Sequence, residues 1–369
     1  MWVDKKSKNF FKKILQKKIK KALIGKKRRK IKKASPLVLS KLLENPVISP
    51  DIKNDWESWQ TFNPGAILLE DKVHFIYRAI GEEGISRLGY AVSDDGFKID
   101  ERLSYSVYEH HIAHPSFNYY SFASGGSYGG SEDPRVVRVG EEDVLYMIYT
   151  ACDEGLRVAL TSIKIKDFLE KKWKWKPVTL ISPPGEVHKN WVIFPEKIRG
   201  QYVILHSITP KVTVSYVDNL EFGDGEYISS FHDSQTRKSC WDTWVRGVGP
   251  PPIKTEKGWL LFYHAIDKRD PGKYKVGAML LDINDPTKVL HRSKEPILEP
   301  KEQYENNGFK AGIVYASGAV VKDGKIFVYY GSADNFVSVA YADLKKFLDA
   351  LEKEIKPELK RKVIKKKVK

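Results

Sequence analysis

Two acids stand side by side ahead of a proline in Glu132-Asp133-Pro134-Arg135. The proline restricts the Asp133 backbone, so this residue cannot continue a helix. Crowding by Glu132 is expected to raise the Asp133 carboxyl toward the range where a general acid works. The plainer alternative is a turn-capping Asp paired with Arg135. Asn63-Pro64-Gly65-Ala66 reads as a second turn of the same kind. The run Gly125-Gly126-Ser127-Tyr128-Gly129-Gly130 could cradle a phosphate. No Gly-Lys-Ser/Thr follows it, so it is not a P-loop, and it reads instead as a flexible loop beside Asp133. No Gly-x-Ser-x-Gly elbow marks a nucleophilic serine. Asp94-Asp95-Gly96 reads as a hairpin turn without chemistry.

The cysteines, Cys152 and Cys240, form no disulfide framework and no zinc spacing, so no metal is expected. Sparse cysteine points to a reducing, intracellular setting. Nineteen Tyr and nine Trp favour β-structure and flat-faced ligands.

The charge is not spread along the chain. Of the net +16, residues 1–34 carry +15 and residues 359–369 carry +7, which leaves the body at −6. The high pI therefore describes two tails, and nucleic acid is not the expected partner of the body. In the first tail, Phe11, Ile14, Leu15, Ile19, Ala22 and Leu23 recur at helical spacing among lysines. The sharper expectation is an amphipathic helix on an anionic membrane surface, and the blander one a solvated, frayed arm. RNA or another polyanion is a third. No run of 18 apolar residues is present, and lysines interrupt any secretory signal. The expected location is cytoplasmic, with the arm peripheral on the inner face of the membrane.

The body repeats one pattern. Strands dense in aromatics recur around Tyr77, Tyr149, His206, Tyr263 and Tyr330, at steps of 72, 57, 57 and 67 residues. Turn signals precede them at Glu70-Asp71, Gly140-Glu141, Arg199-Gly200, Glu256-Lys257-Gly258 and Lys322-Asp323-Gly324. Short strands and a period of about sixty residues indicate an all-β five-bladed β-propeller, one sheet per repeat. No helical pattern separates the strands before Leu344. The expected organisation is a basic arm over 1–35, a propeller over 36–345, and a C-terminal helix with a short basic tail over 346–369.

With this pattern in place, the motifs resemble glycoside hydrolase family 130, the mannoside phosphorylases and related β-mannosidases. The resemblance rests on Asn63-Pro64, Tyr77-Arg78-Ala79, Glu132-Asp133-Pro134-Arg135, Lys189-Asn190, Tyr263-His264-Ala265 and Gly331-Ser332-Ala333-Asp334, in one order across about residues 60–345. It implies that Asp133 is the acid that drives glycosidic cleavage through a sugar hydroxyl. Phosphate then attacks the anomeric carbon from the opposite face. It assigns Arg157, Lys189 and His264 to phosphate and Asn63, Arg78 and Asp334 to the mannosyl unit. The implied activity is reversible, inverting phosphorolysis of a β-mannooligosaccharide to α-mannose 1-phosphate, with inorganic phosphate as co-substrate and no cofactor. One departure stands out. The family's further arginine between the second and third repeats is missing from Lys171-Lys172-Trp173-Lys174-Trp175-Lys176. Hydrolysis by water, with Glu196 or Asp242 as base, therefore stays open. So does a non-catalytic, membrane-tethered sugar-binding propeller.

Overall fold

The computed structural model describes residues 37–112, 119–153, 155–232 and 240–353. The arm expected over 1–35 and the basic end from residue 354 lie outside the described residues. Among the described residues no helix is long and apolar enough to cross a membrane.

The described chain is mostly β-strand, and its long strands form five antiparallel triplets. The first is β1 (Gln60–Leu69), β2 (Lys72–Ile80) and β3 (Ile85–Ser93). The second is β4 (Gly129–Arg138), β5 (Val144–Cys152) and β6 (Leu156–Lys164). Shorter strands make the third: β7 (Val192–Ile193), β8 (Tyr202–Ser207) and β9 (Thr213–Val217). The fourth is β10 (Trp244–Val248), β11 (Gly258–Asp267) and β12 (Asp270–Leu281). The fifth is β13 (Val314–Lys322), β14 (Lys325–Ser332) and β15 (Phe336–Asp343). The anchors Tyr77, Tyr149, His206, Tyr263 and Tyr330 each lie on the middle strand, as the repeat demands. Glu70-Asp71 and Asp323-Gly324 join strands with positive φ at both residues, the sign pattern of type I′ hairpin turns.

The triplets hydrogen-bond into four sheets rather than one closed sheet. A two-residue parallel pairing of β3 with β4, Ile85 with Gly129 and Ser86 with Gly130, joins the first two triplets. Early in the described chain, Ser40–Lys41 pairs with β15, tying that segment to the last sheet. Apolar packing continues where hydrogen bonding stops. Five core clusters lie between successive triplets, and the fifth joins Phe327, Tyr329 and Val339 to Phe75, Tyr77 and Ala91 of the first. Middle strands are accordingly buried on both faces.

Two triplets share a clasp that the sequence pattern did not reveal. Tyr77 Oη donates to Glu57 at 2.7 Å, Arg102 bonds both, and Trp56 stacks on the Tyr77 ring. In the fourth triplet Tyr263 Oη donates to Asp242 at 2.8 Å, Arg292 bonds both, and Trp241 stacks on Tyr263. Gly89 and Gly277 leave room for the two tyrosine rings, since an added Cβ would lie 2.4 Å from Cζ of Tyr77 and of Tyr263 respectively.

Two expectations need correction. Asn63-Pro64 and Asp133-Pro134 are not turns; they lie inside β1 and β4 as bulges, where the register shifts between Phe62 and Gly65 and between Glu132 and Arg135. The flexible glycine loop is also more ordered than expected. Its first glycine ends helix α1 (Tyr119–Gly125), and Gly129-Gly130 opens β4. The helix Leu344–Glu352 buries Phe347, Leu348 and Leu351 in the cluster between the fourth and fifth triplets.

Candidate functional site

A bulge re-aims the side chain of the unpaired residue and twists the strand locally. In β1 and β4 it does so with Asn63 at φ 45° and Asp133 at φ 51°. Asn and Asp tolerate this left-handed region better than other non-glycine residues, and such strain concentrates at functional sites. The two bulges face one another. Asn63 Nδ2 donates to Asp133 Oδ1 at 2.8 Å. Gly331 on β14 makes space for the amide, because a Cβ there would fall 1.9 Å from Asn63 Oδ1.

Arg78, on β2, holds the other side of the acid. It is fully buried, with its guanidinium over the Phe62 ring. Nη1 donates to Asp133 Oδ1 at 3.3 Å, Nη2 to Glu132 Oε1 at 2.8 Å and Nε to Ser86 Oγ at 2.9 Å. Glu132 points away from its neighbour. Its carboxylate accepts from Ser121 and Ser124 of α1 as well as from Arg78. The helix is thus fastened to the acid's own strand. It is fastened again by Lys310, whose Nζ donates to the Ala123 carbonyl.

The acid is not raised by Glu132, contrary to expectation. Burial pushes the Asp133 carboxyl up, but Arg78 and Arg135, with the Asn63 amide and Lys189, hold it below the usual Asp value. Asp334 behaves oppositely. It sits at φ 48°, 4% exposed, 3.4 Å from Lys310 Nζ, and burial raises its carboxyl despite that partner. Gln60 fixes the local backbone, its amide donating to the Asp334 carbonyl at 2.6 Å.

The third and fourth triplets bring the cations. Lys189 Nζ donates to Ser124 Oγ at 3.2 Å, and burial lowers its ammonium. Asn190, at φ 66°, accepts from Arg135 Nη2 at 3.1 Å and from Tyr315 Oη. His264 is wholly enclosed and stacks on Tyr315 at 4.0 Å. Burial, with Arg135 beside it, lowers its imidazole to about 3, so it is neutral at physiological pH. Nε2 faces the Ala316 carbonyl at 2.8 Å and must carry the proton, which leaves Nδ1 as a bare acceptor.

Of the seven residues expected at the site, Asn63 and Arg78 each contact Asp133 directly. Lys189 and Asp334 are linked to them through Ser124 and through Lys310 with α1. His264 stands behind Tyr315. Arg157 lies apart from those contacts, donating to the Ser182 carbonyl at 3.1 Å and covering the Tyr227 ring. The carboxylates considered as bases are committed elsewhere. Glu196 pairs with Lys254 beside Arg138, at the far end of β4, and Asp242 belongs to the Tyr263–Arg292 clasp. Sequence reasoning missed Arg135, Asn190, Lys310 and Tyr315 as members of the site. Buried polar atoms without a partner among the described residues include Asn63 Oδ1, Arg135 Nε and His264 Nδ1, on residues that bond Asp133 or act on its charge. Native interiors rarely leave such atoms unsatisfied, so their clustering around Asp133 marks a place for a polar ligand.

The family model for glycoside hydrolase family 130, described as beta-1,4-mannooligosaccharide phosphorylase, matches residues 41–353. The 1,2-beta-oligomannan phosphorylase of Thermoanaerobacter sp. (strain X514) is 36% identical over 324 residues, covering 83% of this chain and 98% of its own. The beta-1,2-mannobiose phosphorylase of the same organism is 32% identical, with 84% and 98% covered. The solved structure of beta-1,2-mannobiose phosphorylase from Listeria innocua, in complex with beta-1,2-mannobiose, superposes with TM-score 0.64 at 27% identity, covering 85% of this chain and 99% of the other.

Proposed function

This chain belongs to glycoside hydrolase family 130, and we propose that it transfers a β-1,2-linked mannosyl unit to inorganic phosphate with inversion, releasing α-mannose 1-phosphate. The five triplets, with a core cluster between each pair and between last and first, support five blades of one propeller. The β-1,2 linkage follows the names of the two Thermoanaerobacter relatives.

One observation carries phosphorolysis over hydrolysis. Among the described residues, the two carboxylates beside Asp133 and the two considered as bases all have partners: Glu132 has Arg78 and two serines, Asp334 has Lys310, Asp242 has Tyr263 and Arg292, and Glu196 has Lys254. Water needs such a base to become a competent nucleophile, whereas phosphate arrives as an anion and needs cations. Lys189 and His264 form the proposed phosphate set, Lys189 as cation and His264 as a neutral acceptor for a phosphate hydroxyl; Arg157, held at the Ser182 carbonyl, lies apart from them.

In the mechanism, Asp133 supplies the proton to the departing glycosidic oxygen through a mannosyl hydroxyl. In the free protein its carboxyl is held low by cations. Phosphate neutralises part of that charge and a sugar excludes water, and both changes raise a carboxyl toward the protonated form. Asn63 and Arg78 fix its direction. Asp334 and the Asn63 carbonyl oxygen of the side chain accept from the mannosyl hydroxyls. No metal or organic cofactor enters this scheme.

The test is incubation with β-1,2-, β-1,3- and β-1,4-mannobiose, each with and without phosphate. Mannose 1-phosphate from the β-1,2 substrate alone is expected. Free mannose released equally fast without phosphate would give the hydrolase instead. For the arm, we propose attachment to anionic membrane surfaces. Full-length protein should co-sediment with anionic vesicles and a chain starting at Ser35 should not, with equal turnover; equal sedimentation refutes it.

A further inference from the structure

Helix α1 carries a hydroxyl that joins the cation side of the site to the acid. Ser124 Oγ donates to Glu132 Oε2 at 2.7 Å and accepts from Lys189 Nζ at 3.2 Å. Chemistry fixes both directions, since an ammonium has only hydrogens to give and a carboxylate only lone pairs to receive them. From Glu132 the contacts continue. Its Oε1 accepts from Arg78 Nη2 at 2.8 Å, and Arg78 Nη1 reaches Asp133 Oδ1 at 3.3 Å. Four hydrogen bonds therefore run from Lys189 to the acid. The helix is held from its other side too, where Lys310 joins the Ala123 carbonyl to Asp334.

The outer two links are the weak ones. At 3.2 and 3.3 Å they lie at the long limit of nitrogen–oxygen hydrogen bonds, while the two inner links are short. Arg78 is thus shared unequally between two carboxylates and leans toward Glu132. A hydroxyl that accepts from a cation is polarised and donates more strongly. While Lys189 holds Ser124, Glu132 is well compensated and Arg78 can reach Asp133. An anion that takes the Lys189 ammonium weakens the Ser124 donation. Glu132 then draws Arg78 harder, and Asp133 loses part of the cation that holds its carboxyl low. Lys189 also acts on Asp133 through space, as do Arg135 on the same strand and Asp334 after β14. His264 on β11, Tyr274 on β12 and Tyr315 on β13 face the acid as well. Only the path through α1 depends on a serine hydroxyl.

We propose that Ser124 is a positioning residue that links phosphate to the acid: phosphate on Lys189 loosens the Ser124–Glu132 contact, and Glu132 draws Arg78 away from Asp133. The proposal rests on the phosphorolysis reading. It adds a safeguard to that reading, because the acid is readied for proton transfer when the nucleophile is in place. The coupling is reciprocal, so an acid that has gained its proton favours phosphate on Lys189 by the same factor.

The experiment follows cleavage of β-1,2-mannobiose across pH, at low and at saturating phosphate, in wild type, S124A and S124T. In wild type the carboxyl limb of the kcat/KM profile for the mannoside should climb as phosphate is raised. The climb should exceed that of S124A by about half a pH unit or more, because without the hydroxyl the limb already starts high. Phosphate's own ionisation enters all three proteins alike and cancels in the comparison. S124T keeps the hydroxyl and should climb as wild type does; a climb no larger than that of S124A overturns the proposal. The phosphate KM of S124A should not rise, since the change frees Lys189. A raised phosphate KM with unmoved limbs would make Ser124 a direct phosphate ligand and overturns the proposal. Equal climbs in wild type and S124A, with turnover that requires phosphate, overturn the Ser124 link alone. Wild-type mannose release that needs no phosphate overturns the phosphorolysis reading, and the link with it.

Discussion

Replacing Asn63 with Gly isolates the contact that aims the acid. Asn63 sits at φ 45°, where glycine adopts the backbone without Cβ strain, so the change removes little besides the amide. That amide donates to Asp133 Oδ1 at 2.8 Å in a buried setting. A hydrogen bond to a charged group contributes about 1.5–3 kcal/mol, so kcat should fall by about 10- to 150-fold if the bond aims the acid in the transition state. Glycine in a strand costs roughly 0.5–1 kcal/mol of stability, small enough for the variant to stay folded. A second readout follows from the charge. The amide is one of the groups that hold the Asp133 carboxyl down, so its loss lets the carboxyl rise, and the carboxyl limb of the kcat/KM profile should move to higher pH. The assay is release of mannose 1-phosphate from β-1,2-mannobiose in saturating phosphate across pH, with thermal unfolding as the folding control. A variant with kcat within twofold of wild type, an unmoved profile and only a raised mannoside KM would refute the argument. Asn63 would then touch the sugar and not the acid.

Asp133→Asn should lower kcat by about 10²–10⁴-fold with an unchanged unfolding midpoint, and more than a tenth of wild-type turnover would move the acid elsewhere. His264 carries a pH dependence of stability. Its imidazole is lowered to about 3 from the ordinary 6.5, so between those values the unfolded chain binds a proton that the folded chain refuses. The stability it contributes is complete above pH 6.5 and is lost as pH falls toward 3, at up to about 1.4 kcal/mol per pH unit. Denaturant titrations at pH 7, 6 and 5 should therefore show a shallower slope for His264→Asn than for wild type, and parallel slopes would contradict it. Gly89→Ala and Gly277→Ala should each destabilise by about 1–3 kcal/mol, because both drive a methyl into the tyrosine of a repeated clasp. A midpoint shift in only one of the two would mean that the clasps are not energetically equivalent.

The clasp shows where a linear reading stops. Its tyrosines were visible as anchors, because aromatic strands recur at fixed steps. Their partners Glu57 and Arg102 lie 20 and 25 residues from Tyr77, too far to read as one unit. The hairpin turns were legible for the opposite reason, since the positive φ at Glu70-Asp71 and Asp323-Gly324 is a local requirement.

What the sequence alone determined is what local chemistry and periodicity carry: strands from aromatic runs, five repeats from their spacing, and the segregation of positive charge into the tails. Tertiary structure alone decided the electrostatics. Glu132 adjoins Asp133 in the chain, and adjacency suggested a raised acid. In the folded strand their side chains diverge, Glu132 to α1 and Asp133 to Asn63, and the fully buried Arg78 lies between them. The carboxyl therefore falls instead of rising. Charge interactions act through space and depend on burial, so they cannot be read from neighbours in a line.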